Sequence, residues 1–264
     1  MKTLSFLLLL LATTSLWARP VVLVTYYDPF NKAPLNNSET VAKLVAEKLK
    51  DSKDVAVKLC PLNTIYDKAW DQQEACIKAL PEEPKLVLGL GEAFCEFKVE
   101  LVARNFDLTT NAPDNAGVAR TGRPIIPGAT YAFGFTYPLA DMYCALHKRD
   151  RKLMNVSNNA GSFVCNNTAY QMTYNYPETT YGFIHVPSYH CPDIKSTNYR
   201  VVDNLSDMIL TGAKVESPGR LPVFKKELKY LRKQADGVDE CRHEFYERAR
   251  GIDEKSFWSK IKPL

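Results

Sequence analysis

The sequence is poor in the residues and spacings that build metal sites. Only four of its 264 residues are histidine, and neither a C-x-x-C nor an H-E-x-x-H spacing occurs along the chain. Protein zinc sites draw their ligands from closely spaced Cys and His residues of this kind. We therefore expect no metal and no other cofactor.

A strong excess of one charge, internal repeats and low-complexity tracts are also absent. The net charge is only +4, and the basic residues are scattered, which argues against a nucleic-acid partner. The most basic stretch, residues 225–233, also carries an acidic residue and apolar residues at helical spacing. That pattern is typical of a solvated helix face rather than of a site for an anionic partner.

Long hydrophobic runs are missing after the first 18 residues. Within residues 1–18, Lys2 precedes an apolar stretch from Leu4 to Thr13, and Ala18 is a small residue suited to cleavage, with Ser15 as an alternative. This is the organisation of a secretory signal peptide, and the stretch is too short to span a bilayer. We expect an exported protein, periplasmic or extracellular, without membrane association once the leader is removed.

An exported protein would enter an oxidising compartment, and this affects how its seven cysteines are interpreted. In an oxidising compartment cysteines tend to pair, and an odd one is a candidate reactive thiol. Seven cysteines fit one free thiol, expected at Cys165, and up to three disulfides. Six cysteines allow 15 pairings, so the connectivity stays open, although Cys241 would allow one bond to attach the C-terminal segment.

Strand-like and helix-like apolar patterns alternate along most of the chain. Apolar runs predict strands near residues 20–26, 55–59, 86–90 and 152–157, with extended structure over 124–135. Helical spacing predicts helices over 38–50, capped by Ser38, and over 70–80, 94–102 and 139–148. This interleaving indicates an α/β domain with a largely parallel sheet, which we assign to residues 19–213. Residues 214–264 form a predicted C-terminal helical extension, interpreted as a stabilising clasp or a lid.

Cys165 and His185 are the first candidates for catalysis. Cys165 follows a turn containing Gly161 and opens a predicted helix over residues 166–174, and His185 ends a strand-like run over 181–186. Unpaired backbone N–H groups at a helix N-terminus stabilise negative charge and so favour a nucleophilic thiolate. The two residues supply a nucleophile and a base for amide hydrolysis. Among the other histidines only His190 is a rival base.

Four motifs carry a resemblance to a known family. Ala-Gly-x-x-Val-Cys-Asn (160–166) and Phe-Ile-His-Val-Pro (183–187) resemble pyroglutamyl peptidase I, a cysteine peptidase that removes N-terminal pyroglutamate. Residues 22–30 resemble its first strand and Thr-Gly-Phe-(Glu/Asp)-Pro-Phe turn, and residues 100–117 its Glu-x-x-Ala-x-Asn and Pro-Asp-Asn-x-Gly segment. The order holds from about residue 21 to about residue 212. The resemblance implies a three-layer α/β/α sandwich around a twisted sheet, and peptide substrates with blocked N-termini.

The same resemblance implies roles for single residues. Cys165 is the expected nucleophile and His185 the base, and Glu100 matches the family's acid that orients the histidine. Glu92 and Glu96 are nearby alternatives. Because the region is predicted to be helical, its pattern alone does not separate Glu100 from an ordinary helix-surface glutamate.

The implied substrate-binding residues surround this triad in the motifs. Tyr27 and Phe30 occupy the positions of two aromatic residues that hold the pyroglutamyl ring, and Asn36 and Val164 fall in matching substrate-binding segments. Asn111 stands where the family has an arginine linked to the oxyanion. An amide can donate a hydrogen bond there but brings no charge, so slower turnover is expected.

Other departures leave the specificity open. Tyr26 replaces a glycine of the family's first turn, and Leu90 follows Gly89 where the family has glutamine; we expect Tyr26 to crowd the pocket or stiffen its backbone. The alternatives to pyroglutamate release are a thiol amidase for another N-terminal cap and a degenerate protein that binds blocked peptides.

Overall fold

The computed structural model describes residues 19–110 and 112–249, so the predicted leader, Asn111 and residues 250–264 lie outside the described part. Its helices and strands are, in chain order, β1 (Val21–Tyr27), α1 (Asn37–Leu49), β2 (Ala56–Leu62), α2 (Lys68–Lys78), β3 (Leu86–Glu92), β4 (Phe97–Glu100), β5 (Val102–Arg104), β6 (Asp107–Leu108), β7 (Thr121–Arg123), β8 (Ala132–Gly134), α3 (Leu139–Cys144), α4 (Lys148–Arg151), β9 (Met154–Ser157), α5 (Val164–Asn175), β10 (Tyr181–Val186), α6 (Ile194–Gly212), α7 (Lys225–Ala235) and α8 (Glu240–Arg248).

A six-stranded sheet in the order β2-β1-β3-β10-β4-β9 forms the centre of the molecule. Strand β1 pairs in parallel with β2 and β3, and β3 pairs in parallel with β10. Strand β4 runs antiparallel to β10 and parallel to β9. All seven residues of β1 are buried, as expected for a parallel strand covered on both faces.

Helices cover both faces of this sheet. Helix α1 packs on β1, β2 and β3 and against α6, whereas α2 packs on β2 and against α5, which also contacts β10. The result is a three-layer α/β/α sandwich around a largely parallel sheet, which confirms the predicted fold class. Two small sheets, β5-β8 and β6-β7, lie outside it.

The helix predicted over residues 94–102 is wrong. The segment instead forms β4 and the beginning of β5, with Phe97 and Val99 buried and Lys98 between them partly exposed. A stretch of only nine residues is short enough that its apolar positions fit a period of two as well as one of 3.6. Pairing with β10 and β9 decides for the strand.

Three smaller expectations also needed correction. The first helix is capped by Asn36 rather than Ser38, because Asn36 Oδ1 accepts the Ser38 N–H at 3.0 Å. The helix predicted over 139–148 already ends at Cys144, and residues 148–151 form the separate helix α4. Of the extended stretch predicted over 124–135, only Ala132–Gly134 is a strand.

Six cysteines form three disulfides, and Cys165 is free. Cys60–Cys76 joins β2 to α2, Cys95–Cys191 joins the loops that follow β3 and β10, and Cys144–Cys241 joins α3 to α8.

Helix α8 closes the outer edge of the sheet. It packs on α3 and β9, and Arg248 Nη2 donates to the Met154 carbonyl of β9 at 2.6 Å. An edge strand has unpaired backbone groups that need such cover. None of the helices in the described ranges is long and apolar enough to cross a membrane.

Candidate active site

Cys165 is the second residue of α5, directly after the turn predicted from the sequence. Gly161 enables that turn, since its φ of +85° lies in a region that other residues rarely adopt. The N-cap residue Phe163 makes no side-chain hydrogen bond to the helix. The backbone N–H groups of the first helical turn are therefore free of a side-chain cap next to the half-buried thiol.

His185 and Glu100 lie on neighbouring strands and meet in the interior. His185 pairs with Lys98 across the antiparallel β10–β4 ladder, so Glu100 lies two positions along, diagonally opposite the histidine. Its Oε1 is 2.8 Å from His185 Nδ1, and the two residues are 0% and 6% exposed. This contact holds the Nδ1 proton toward the carboxylate and leaves Nε2 as the ring nitrogen available to other partners.

The imidazole also interacts with the side chain of Cys165. Burial alone would lower the pKa of His185, but the interactions with Cys165 and Glu100 outweigh it and raise the pKa from 6.5 to about 9. The ring is thus protonated at neutral pH and places a positive charge beside the side chain of Cys165. The structure brings Cys165, His185 and Glu100 together, with His185 hydrogen-bonded to the buried Glu100.

Gly91 and Phe183 form the floor beneath these residues. A methyl group on Gly91 would lie 3.0 Å from Cys165 Sγ, 3.0 Å from His185 Cδ2 and 2.9 Å from Phe183 Cζ. The ring of Phe183 meets the imidazole edge-on, with 5.0 Å between ring centroids. Position 91 therefore has no room for a side chain. The sequence analysis missed both residues, although Phe183 belongs to the Phe-Ile-His-Val-Pro motif.

The triad opens into a cavity of about 570 Å³. One wall is aromatic and combines the predicted Tyr27 and Phe30 with Phe163, which the sequence analysis did not single out. The Phe30 and Phe163 rings are 5.8 Å apart between centroids. Burial, and then the charge of Cys165, raise the pKa of Tyr27 well above its ordinary value, so its phenol stays neutral. The wall is suited to a flat, uncharged group.

The other predicted binding residues lie in different settings. Asn36 lines the cavity, but its Oδ1 caps α1 and its Nδ2 donates to the Asp28 carbonyl at 3.1 Å. Val164 is fully buried and is not part of the cavity lining. Asn111 lies outside the described residues, while its neighbours Thr110 and Ala112 line the cavity.

Neither Tyr26 nor Leu90 lines the cavity. Tyr26 is 8% exposed and Leu90 1%. Successive side chains of a strand point to opposite faces, so the residues facing the site are their neighbours Tyr27 and Gly91. The expectation that Tyr26 crowds the pocket is wrong.

The alternative acids and base do not touch His185. Glu92 lines the cavity, and its carboxylate accepts hydrogen bonds from the Asn37 backbone N–H and the Ser188 hydroxyl. Glu96 is exposed and forms an ion pair with Lys98 at 2.7 Å. His190 is exposed and its Nδ1 contacts the Ser188 hydroxyl at 2.8 Å.

The Pro-Asp-Asn motif supports the aromatic wall. Asn115 Nδ2 donates to Asp28 Oδ1 at 3.1 Å and to the Pro29 carbonyl at 2.8 Å, and Asp28 also accepts the Thr64 N–H at 2.6 Å. These bonds fix the turn that carries Phe30. Within the described part of the extension, up to Ala249, no residue lines the cavity, whereas residues 250–264 lie outside the described part, so the choice between clasp and lid stays a prediction.

Among the described residues, no group of three or more His, Cys, Asp or Glu side chains could hold a metal ion. The chemistry available is that of a thiol, a protonated imidazole and a carboxylate in a partly apolar cavity. A comparison with protein families finds one that includes all three of these residues: the model of the pyroglutamyl peptidase family matches residues 21–218. The chain belongs to the pyroglutamyl peptidase family.

Two relatives in this family are named pyrrolidone-carboxylate peptidases. The pyrrolidone-carboxylate peptidase of Streptococcus suis is 32% identical over 172 residues, covering 63% of this chain and 77% of that protein. The enzyme of that name from Pyrococcus furiosus is 31% identical over 172 residues, covering 63% and 80%.

Solved structures of pyroglutamyl peptidases share the fold. The crystal structure of pyroglutamyl peptidase I from Bacillus amyloliquefaciens aligns with a TM-score of 0.64 at 23% identity, over 76% of this chain and 98% of that one. A mutant pyrrolidone carboxyl peptidase from Pyrococcus furiosus aligns with a TM-score of 0.61 at 25% identity, over 74% and 98%. Each alignment therefore covers nearly the whole of the solved chain and about three quarters of this one.

Proposed function

We propose that this protein is a cysteine peptidase that removes N-terminal pyroglutamate from peptides, with Cys165 as nucleophile, His185 as base and acid, and Glu100 as the group that orients His185. The observation that carries the proposal is that Cys165 and His185 lie side by side above Gly91, with His185 hydrogen-bonded to the buried Glu100. Its substrates are peptides with a blocked N-terminus. Membership of the pyroglutamyl peptidase family supports the same activity.

Acylation begins with the sulfur. The Cys165 thiolate attacks the carbonyl carbon that joins the pyroglutamyl group to the rest of the peptide. The oxygen of that carbonyl takes up the negative charge. Protonated His185 gives its Nε2 proton to the leaving nitrogen, the C–N bond breaks, and the shortened peptide departs. The pyroglutamyl group remains on Cys165 as a thioester.

Deacylation uses the same groups in reverse order. His185, now neutral, removes a proton from a water molecule, whose oxygen attacks the thioester carbon. The C–S bond breaks, pyroglutamic acid leaves, and the thiolate–imidazolium pair is restored. Glu100 stabilises the positive charge on His185 in each cycle and holds the ring in one orientation.

The oxyanion has donors at the start of α5. The backbone N–H groups of the first helical turn lie beside the sulfur without a side-chain cap, and the helix dipole favours negative charge there. We also propose that Asn111, between Thr110 and Ala112, donates a hydrogen bond to the oxyanion. Its side chain would supply a neutral hydrogen bond.

Selection for pyroglutamate rests on the aromatic wall of Tyr27, Phe30 and Phe163. A lactam ring is flat and neutral, so it gains from aromatic contacts without the loss of solvation that a charged group suffers. An ordinary peptide presents a protonated α-amino group at this place. We therefore expect free N-termini to be rejected.

We further propose that the protein is exported and that residues 1–18 are its signal peptide. The three disulfides are what an oxidising compartment favours, and the leader pattern of the sequence agrees with them. A periplasmic or extracellular enzyme would meet pyroglutamyl peptides outside the cytoplasm.

The test is hydrolysis of matched amides that differ only in the N-terminal group: pyroglutamyl, prolyl and free glutamyl. The purified mature protein is expected to cleave the pyroglutamyl amide, and Cys165→Ala to lose that activity. Cleavage of another cap in preference would support the thiol amidase alternative. Binding of the pyroglutamyl amide without turnover would support the degenerate binding protein, although neither alternative has support from the comparisons.

A further inference from the structure

Phe94 is an exposed aromatic residue at the mouth of the cavity. It lies in the loop between β3 and β4, lines the cavity, and is 74% exposed. Its φ of +51° is in the left-handed region, where a bulky side chain is a rare outlier. Such strain persists where surrounding structure enforces it.

Bonds on both sides of Phe94 enforce this conformation. The Ala93 N–H donates to the Val186 carbonyl at 3.1 Å, and the Ser188 N–H donates to the Phe94 carbonyl at 2.6 Å. The next residue, Cys95, is disulfide-bonded to Cys191.

The ring itself contacts a charged side chain. Lys98 Nζ lies 4.8 Å from the ring centroid of Phe94, a cation–π contact. The ring is therefore held at the cavity mouth although most of its surface faces solvent.

The chemistry of acylation places the leaving peptide on this side of the cavity. His185 protonates the leaving nitrogen, so that nitrogen lies next to β10. The pyroglutamyl ring lies on the other side, against Tyr27 and Phe30 on the β1 side of the cavity. A peptide of any length has to continue from the leaving nitrogen to solvent, and the loop that carries Phe94 is bonded to the end of β10.

We propose that Phe94 contacts the side chain that follows pyroglutamate and selects aromatic and apolar residues at that position. The inference rests on the proposed function and names the substrate class of the same site. A fixed, exposed ring gains apolar contact on binding while it loses little conformational freedom. Small polar side chains gain nothing from it.

The test compares pyroglutamyl-Phe, pyroglutamyl-Leu, pyroglutamyl-Gly and pyroglutamyl-Ser amides with identical remaining residues. We expect kcat/KM of the wild type to favour Phe and Leu over Gly and Ser by about 3- to 10-fold. Phe94→Ala should bring this ratio close to one. The matched control Tyr199→Ala removes another exposed ring, 69% exposed on α6, and should keep the wild-type ratio.

A second pair of variants tests whether the ring is held in place. Replacing both Cys95 and Cys191 with Ser should lower the ratio, whereas replacing both Cys60 and Cys76 should not. Equal kcat/KM for all four substrates in the wild type, or an unchanged ratio in Phe94→Ala, overturns the inference and leaves the proposed function standing. No cleavage of any pyroglutamyl substrate by the wild type refutes the proposed function, and the inference with it.

Discussion

Replacement of Glu100 by Gln tests how the buried carboxylate acts on catalysis. Glu100 is fully buried, and its Oε1 lies 2.8 Å from His185 Nδ1. A glutamine side chain has nearly the same shape as glutamate, and its amide oxygen can still accept a hydrogen bond from the Nδ1–H of His185. It carries no negative charge. An opposite charge at this distance raises the pKa of a base by about 1 to 3 pH units. The pKa of His185, about 9 in the wild type, should therefore fall by that amount.

The direction of the pH effect depends on whether protonated or neutral His185 acts in acylation. Acylation requires the protonated ring, so activity falls as the pH rises through the pKa of His185. In the wild type the alkaline limb of kcat/KM should lie near pH 9. In Glu100→Gln the limb should move to lower pH, and kcat should fall by about 10²- to 10⁴-fold, the range of general acid–base catalysis.

The assay is a pH profile of pyroglutamyl amide hydrolysis, with thermal unfolding as the check on folding. Glu96→Gln is the matched control, because Glu96 is an exposed carboxylate on the same segment whose partner is Lys98. Its profile should equal that of the wild type. An alkaline limb that stays near pH 9 in Glu100→Gln, with kcat within a few-fold of the wild type, would refute the assigned role.

Three further predictions concern the nucleophile, the floor and the aromatic wall. Cys165→Ala should abolish turnover and change the free energy of unfolding by less than about 1 kcal/mol, since the thiol is only half-buried; retained activity would exclude thiol chemistry. Gly91→Ala should lower kcat by about 100-fold, because the added methyl lies within 3.0 Å of both reacting side chains; a wild-type kcat would show that the floor adapts. Phe30→Ala should raise the KM for pyroglutamyl amides by about 30- to 150-fold, from about 2–3 kcal/mol of lost apolar contact; unchanged kinetics would remove Phe30 from the ring pocket.

Much of the site could be predicted because its parts are local in sequence. The Gly161 turn, the helix after Cys165 and the strand ending at His185 each have their own pattern over a few residues. The structure has the helix at Val164–Asn175 and the strand at Tyr181–Val186, close to the predicted ranges. The order of motifs then implied a third member, Glu100.

The sequence predictions are wrong or incomplete where contacts between residues distant in the sequence determine the structure. The local pattern of residues 97–100 fits a strand and a helix equally well, and pairing with β10 and β9 decides for the strand. The same applies to disulfide connectivity, since Cys95 and Cys191 are 96 residues apart in sequence.

Strand alternation explains why Tyr26 does not crowd the pocket. In β1 and β3 the side chains of Tyr26 and Leu90 point away from the site, and Tyr27 and Gly91 point toward it. A shift of one residue along a strand exchanges the two faces. Motif matching alone does not establish which face a residue occupies, whereas the register of the sheet does.

The most direct test of the central claim is detection of the covalent intermediate. The mature protein is mixed with a pyroglutamyl amide, quenched with acid during turnover, digested and mapped by mass spectrometry. The account predicts that the peptide containing Cys165 gains the mass of one pyroglutamyl group, and that Cys165→Ala gains none. A pyroglutamyl adduct on any other residue, or undiminished turnover by Cys165→Ala, would contradict it.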